Sequence, residues 1–202
     1  ATDERRVIVV VRALVGVPVV KAAVMITINR DLEQLLIRSG LTWRPKSTNV
    51  MLTVGYANIT SGAFGRKNHS TTYENRAYQA ALLPQKIGSR IYLRHRFRYE
   101  QRWVEHQDFR TRYRYALFMN IPLNQQEMSP GAVYLSLYNE IFLNGQQDIG
   151  GGRRVEVFDR NRLYGALGYS IAPGLAVQMG YMEQTTQTLS KGQLQLSLHH
   201  TF

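Results

Sequence analysis

The sequence predicts one all-β domain spanning residues 1–202: a single-chain antiparallel up-and-down transmembrane β-barrel. About twelve strands are expected, with ten as the alternative. Three observations predict it. Apolar and polar residues alternate with period two along nearly every segment, as in "QLQLSLHHTF" at 193–202. Short and long connections alternate between the segments, the plan of a membrane barrel. Over 91–118, "IYLRHRFRYEQRWVEHQDFRTRYRYALF", arginines interleave with aromatics and leucines so that the guanidinium groups share one face.

Composition narrows the choice before any element is placed. Hydrophobic residues make up 44% and charged residues 19%, which excludes a disordered chain. A net charge of +11 calls for an anionic partner, an anionic surface or an internal cationic cavity. With no cysteine, disulfide scaffolds, thiol nucleophiles and Cys-ligated zinc are excluded, and no cofactor is expected. The start "ATDERR" suits a mature chain after signal-peptide removal.

The first two segments, about 5–16 and 18–30, contain "VIVVVRALVGVPVVKAAVMITI". That run is long enough for a membrane helix. Its valines favour strands, Pro18 would break a helix, and Arg12 and Lys21 would sit in hydrocarbon, so two strands about Gly16-Val17-Pro18 are expected. Segment 32–44 sets Leu35, Ile37, Leu41 and Trp43 against Gln34, Arg38, Gly40 and Thr42. Segment 49–60 sets Val50, Leu52, Val54 and Tyr56 against Met51, Thr53, Gly55 and Ala57. Segments 71–83, 89–104 and 108–121 follow. Segment 132–144 sets Val133, Leu135, Leu137, Ile141 and Leu143 against Tyr134, Ser136, Tyr138 and Glu140. Segments 158–171, 175–186 and 192–202 complete a count of eleven. Single-chain bacterial barrels usually have an even number of strands, hence the expectation of twelve or ten.

The tight connections are Gly16-Val17-Pro18, "PKST", "PQKIG" and "APG". The longer ones fall near 61–70, 145–157 and 186–191 and are expected to be extracellular.

Folding 91–118 as a hairpin about Val104–Asp108 makes paired residue numbers sum to about 212. Arg94, Arg96, Arg98, Glu100 and Arg102 then share a face with Arg110, Arg112 and Arg114. In a soluble protein such a face would lie on nucleic acid. The opposite apolar face would then need a second layer, and no amphipathic helix is available to supply it. The arginine face is therefore expected to line the lumen, with Glu140 and Arg162, and no nucleic-acid partner is expected. The register sets Glu100 opposite Arg112 as an ion pair, but also Arg98 opposite Arg114 and Arg102 opposite Arg110, which repel. Acids from other strands should compensate, the candidates being Glu74, Glu140, Asp159 and Glu183. Such a network either plugs a narrow barrel or lines an anion-favouring pore.

"LRHRFRYEQRW" (93–103) and "FDRNRLYGALGY" (158–169) resemble the hallmark strands of an uncharacterised family of bacterial outer-membrane β-barrels, known only as a domain of unknown function. "QLLIRSGLTWRP", "LTVGYA", "NRAYQAAL" and "YLSLYNEIFLN" fit in the same order, while "RRVIVVVRALVGV" departs from the family's more aromatic first strand. The resemblance implies an integral outer-membrane location and supplies no activity. The C-terminus is similar to the signal that barrel-assembly machinery reads: Leu194, Leu196 and Leu198 alternate toward Phe202.

Catalytic signatures are absent from the sequence. His69, His95, His106, His199 and His200 make no metal-ligand spacing, and no Gly-x-Ser-x-Gly elbow occurs. "GGGRR" at 150–154 lacks the partner residues of a phosphate loop, while Arg153 and Arg154 are placed to meet anionic headgroups. The expected protein is not an enzyme but a narrow, porin-like passive channel or a plugged structural barrel. Its expected partners are outer-membrane lipids, the assembly machinery and other outer-membrane proteins. The alternatives are a partner-binding scaffold of an outer-membrane complex and a lipid-modifying enzyme.

Overall fold

The computed structural model describes residues 7–14, 20–27, 34–62 and 71–201, with side chains for 36–62 and 71–199. These residues form strands joined by turns and loops, without a helix among them. The strands are β1 (Val7–Leu14), β2 (Val20–Thr27), β3 (Gln34–Trp43), β4 (Met51–Ser61), β5 (Thr72–Ile87) and β6 (Ile91–Val104). They continue with β7 (Arg110–Pro122), β8 (Val133–Asn144), β9 (Phe158–Ala172), β10 (Leu175–Thr185) and β11 (Ser190–Thr201).

β3 to β11 form a continuous antiparallel meander in which each strand pairs with its neighbours in sequence. β2 adds to β3 in the same sense, while β1 pairs in parallel with β11, from Val7 opposite Leu194 to Leu14 opposite Thr201. Among the described residues there are eleven strands, against an expectation of twelve or ten. An odd number leaves the first and last strands pointing the same way, so the seam between them is parallel.

Burial follows the alternation. Large apolar residues point outward and stay exposed: Leu41 at 53%, Phe97 at 50% and Leu167 at 59%. Charged residues on the opposite face are shielded: Glu100 is 2% exposed and Arg112 3%. No second layer is present among the described residues, so curling of the sheet is what covers the polar face. The arrangement is that of a barrel wall with a filled interior.

Glycines on the concave face make room for that filling. Tyr78 lies over Gly55 and Gly40, and its Oη donates to the Ser39 carbonyl at 3.2 Å. Tyr134, 2% exposed, lies over Gly168 and accepts from Gln178 Nε2 at 3.0 Å.

Two boundaries differ from expectation. β5 runs through Pro84 to Ile87, so "PQKIG" is mostly strand and the turn is 88–90, with Gly88 at φ 57°. β4 ends its pairing at Met51 opposite Leu82, which leaves Pro84 beside an open edge where a missing N–H is tolerated. β11 begins at Ser190, which shortens the last loop to 186–189. Connection lengths separate only partly, because the extended loop 123–132 shares the rim of the tight turns. Gly16-Val17-Pro18 and most of 61–70 lie outside the described residues.

Candidate functional site

The concave face of β5 to β9 carries a connected ion-pair network. β6 and β7 pair with Glu100 opposite Arg112, Arg98 opposite Arg114 and Arg102 opposite Arg110, a constant sum of 212. Glu100 Oε2 accepts from Arg112 Nη2 at 2.6 Å and Nε at 3.0 Å, while its Oε1 accepts from Arg114 Nη1 at 2.5 Å. Arg114 also donates to Glu140 Oε1, from Nη2 at 2.7 Å and Nε at 3.0 Å. Arg96 Nη2 reaches the same oxygen at 2.6 Å. Arg112 Nη1 continues to Asp159 Oδ2 at 3.0 Å, where Arg160 Nε also donates at 3.1 Å. One chain of charges thus runs Arg96–Glu140–Arg114–Glu100–Arg112–Asp159–Arg160 across four strands. Separately, Glu74 on β5 binds Arg76 and Arg102, each through two nitrogens.

Aromatic faces accommodate the remaining positive charge. The Phe142 ring, itself 2% exposed, lies 4.3 Å from the Arg114 guanidinium, 5.0 Å from Arg162 and 5.3 Å from Arg112. Phe118 meets Arg96 at 4.9 Å and Arg94 at 5.5 Å, and Tyr78 meets Arg98 at 4.6 Å. The negative face of a ring attracts a cation without adding a proton acceptor.

Of the four expected acids, Glu140 and Asp159 join this chain, and Glu74 forms the separate cluster with Arg76 and Arg102. Glu183 joins neither. It points outward, where its carboxylate accepts from Ser190 Oγ at 2.7 Å. Asp159 is brought in by a bulge, because Leu143 pairs with Phe158 and Phe142 with Arg160, which makes Asp159 the extra residue. Among the described residues Arg94 and Arg110 have no carboxylate within 4.0 Å, and the buried Arg110 Nε has no partner. Arg162 donates to Gln184 Oε1 at 2.8 Å.

Sequence reasoning left Arg76, Arg160, Phe118 and Phe142 out of the site. Phe142 carried a signal, since its even number places it with Glu140 on the otherwise polar face. Arg160 carried the same signal, since its even number places it with Arg162 and Tyr164; Asp159 is the residue that the bulge takes out of parity.

The central groups of the network are buried. Glu100, Arg112 and Glu140 are nearly inaccessible to water. Each carboxylate is hydrogen-bonded by two guanidinium groups, and Glu100 has a third, Arg98, with Nη1 3.8 Å from its Oε1; the rigid fork suits Arg to such buried pairs. Even so, Arg38, Arg76, Arg94, Arg96, Arg98, Arg102, Arg110, Arg112, Arg114, Arg160 and Arg162 on this face outnumber Glu74, Glu100, Glu140 and Asp159.

Elsewhere, His95 faces outward with Nδ1 2.9 Å from Tyr115 Oη and Nε2 3.3 Å from Gln85 Oε1. His106 is exposed in the β6–β7 turn at φ 57°. Its carbonyl accepts from Arg153 Nη2, and the Asp108 N–H donates to the Ile149 carbonyl at 2.9 Å, so the 145–157 loop is tied to that turn. Among the described residues no group of His, Asp or Glu is arranged to hold a metal ion. Leu194, Leu196 and Leu198 point outward on β11, while His69, Phe202 and the His200 side chain lie outside the described residues.

A family model described as protein of unknown function (DUF2490) matches residues 26–195. The chain belongs to this family. The DUF2490 match takes in all the ion pairs of this face, from Glu74 to Arg160. It begins after β1, the strand whose sequence departs from the expected pattern. Neither a curated protein nor a solved structure matches the chain.

Proposed function

We propose that this chain is an integral bacterial outer-membrane β-barrel whose interior is sealed by the arginine–carboxylate network, a structural barrel rather than an open pore. One observation carries the reading: exposed leucines, valines and aromatics line the outside of the sheet while ion pairs are buried inside it. That is the reverse of a water-soluble protein, and it matches a wall between lipid and a polar interior. Trp43 near one end of β3 and Trp103 near the far end of β6 fit the aromatic belts of the two membrane interfaces. The partners are outer-membrane lipids and the assembly machinery, and the 145–157 loop faces the exterior. The reading assigns no catalytic step.

A narrow, anion-favouring channel is the second reading. The excess of arginine over carboxylate on the concave face favours it, since rings of positive side chains select anions.

Two measurements test the pair. A folded barrel migrates differently on a detergent gel before and after boiling, and identical migration removes the membrane-barrel reading. In planar bilayers the sealed barrel gives no steady conductance. A steady current favouring chloride, reduced in the Arg96→Glu/Arg98→Glu variant, supports the channel instead.

A further inference from the structure

The outward face of the sheet carries a groove that a sealed interior does not use. It runs across β3 to β8 with a volume of about 830 Å³, within the range of roughly 300–1,000 Å³ usual for small-molecule sites. Its floor follows from register. Trp43, Leu52, Ala81, Phe97 and Tyr115 stand side by side on five adjacent strands. Ala81 is the small member of that row, so its neighbours rise as walls on both sides. Trp43 and Phe97, 57% and 50% exposed, present their rings to whatever lies outside.

The groove reaches Trp43, where β3 passes into the turn 44–50. That turn forms a polar pocket of about 460 Å³ lined by Arg44, Lys46 and Asn49 among others. Arg44 Nη2 donates to Asn49 Oδ1 at 3.2 Å, which leaves the other nitrogens of the guanidinium free of that bond. On the same rim the end of β5 adds Lys86 and the turn 88–90 adds Arg90, and neither 44–50 nor 84–90 contains an acid.

We propose that this face binds an anionic two-chain phospholipid, with its acyl chains along the Ala81 groove and its phosphate at Arg44 and Lys46. The inference rests on the membrane-barrel reading. An apolar channel that ends at a basic turn complements both halves of an anionic amphiphile. Juxtamembrane cations attract anionic headgroups, and an aromatic such as Trp43 suits the boundary between the two zones.

The test uses the full chain folded in detergent micelles and offered equal amounts of phosphatidylglycerol and phosphatidylcholine, with retained lipid read by native mass spectrometry. Phosphatidylglycerol should be retained roughly tenfold or more over phosphatidylcholine, as two nearby cations allow. Arg44→Glu with Lys46→Glu should abolish that preference, and Ala81→Trp, which fills the floor, should remove retention of both lipids. Equal retention by the unaltered protein overturns the site, even where a variant fails to fold. Preference unchanged by the charge reversal also overturns it, as does retention unchanged in Ala81→Trp. Absence of the heat-dependent gel shift strikes the membrane reading itself, whereas a shifted barrel without lipid preference removes only the lipid site.

Discussion

Arg114 on β7 holds carboxylates from two other strands at once: Nη1 lies 2.5 Å from Glu100 Oε1 and Nη2 lies 2.7 Å from Glu140 Oε1. Because Glu100 also binds Arg112, and Arg112 binds Asp159, the side chains cross-link four strands. The backbone ladder connects only neighbours. This network adds cohesion across the curl of the sheet.

Glu100 should therefore be among the least replaceable residues. Glu100→Gln keeps the shape but leaves Arg112 and Arg114 short of a counter-charge in a site only 2% exposed. Breaking a buried pair from one side costs about 3–5 kcal/mol. The urea midpoint of the folded barrel should fall accordingly. Glu183→Gln, on the exposed outer face, should change stability by no more than about 0.5 kcal/mol.

Phe142 is the ring against which the Arg112, Arg114 and Arg162 guanidinium groups pack. Phe142→Leu retains an apolar side chain and removes the π face. A loss of about 1–2 kcal/mol is expected from desolvated cation–π contacts. Unfolding in vesicles with tryptophan fluorescence as the signal measures it, and no loss would mean that the ring acts only as filler.

Gly168 is required by Tyr134. A Cβ at residue 168 would overlap the Tyr134 ring, with its Oη 2.7 Å away. Gly168→Ala should cost about 1–3 kcal/mol through overpacking. Adding Tyr134→Ala should recover part of it, giving a coupling energy of about 0.5–3 kcal/mol in a double-mutant cycle.

Leu167 distinguishes lipid from water as the outer solvent. It is 59% exposed on the convex face. Leu167→Arg should cost about 2–4 kcal/mol if that face meets the bilayer midplane. In water the same change falls within about 0.5 kcal/mol. Folding yields into lipid vesicles at increasing urea separate the two outcomes.

Much of the architecture could be read from local pattern. The eleven alternating segments coincide with the strands of the described residues to within a few residues, and the sum of 212 holds for the β6–β7 hairpin. Both follow from short-range geometry: side chains on a strand alternate, and a tight turn sets the register of the strands it joins. The misses share a different origin. Pro84 reads as a turn residue, yet it continues a strand because β4 has already ended beside it. The parallel pairing of β1 with β11 likewise depends on no local signal.

By itself, then, the sequence determined which side chains share a face, because a period of two is a property of the extended backbone. It did not determine which charges meet. Arg112 and Asp159 are 47 residues apart, and they touch only because the sheet curls and a bulge turns Asp159 inward. Glu183 lies outside with Met179 and Tyr181, as its odd number on that strand already implies. Partner choice among buried charges is a matter of a few ångströms in three dimensions, and only the tertiary structure fixes those distances.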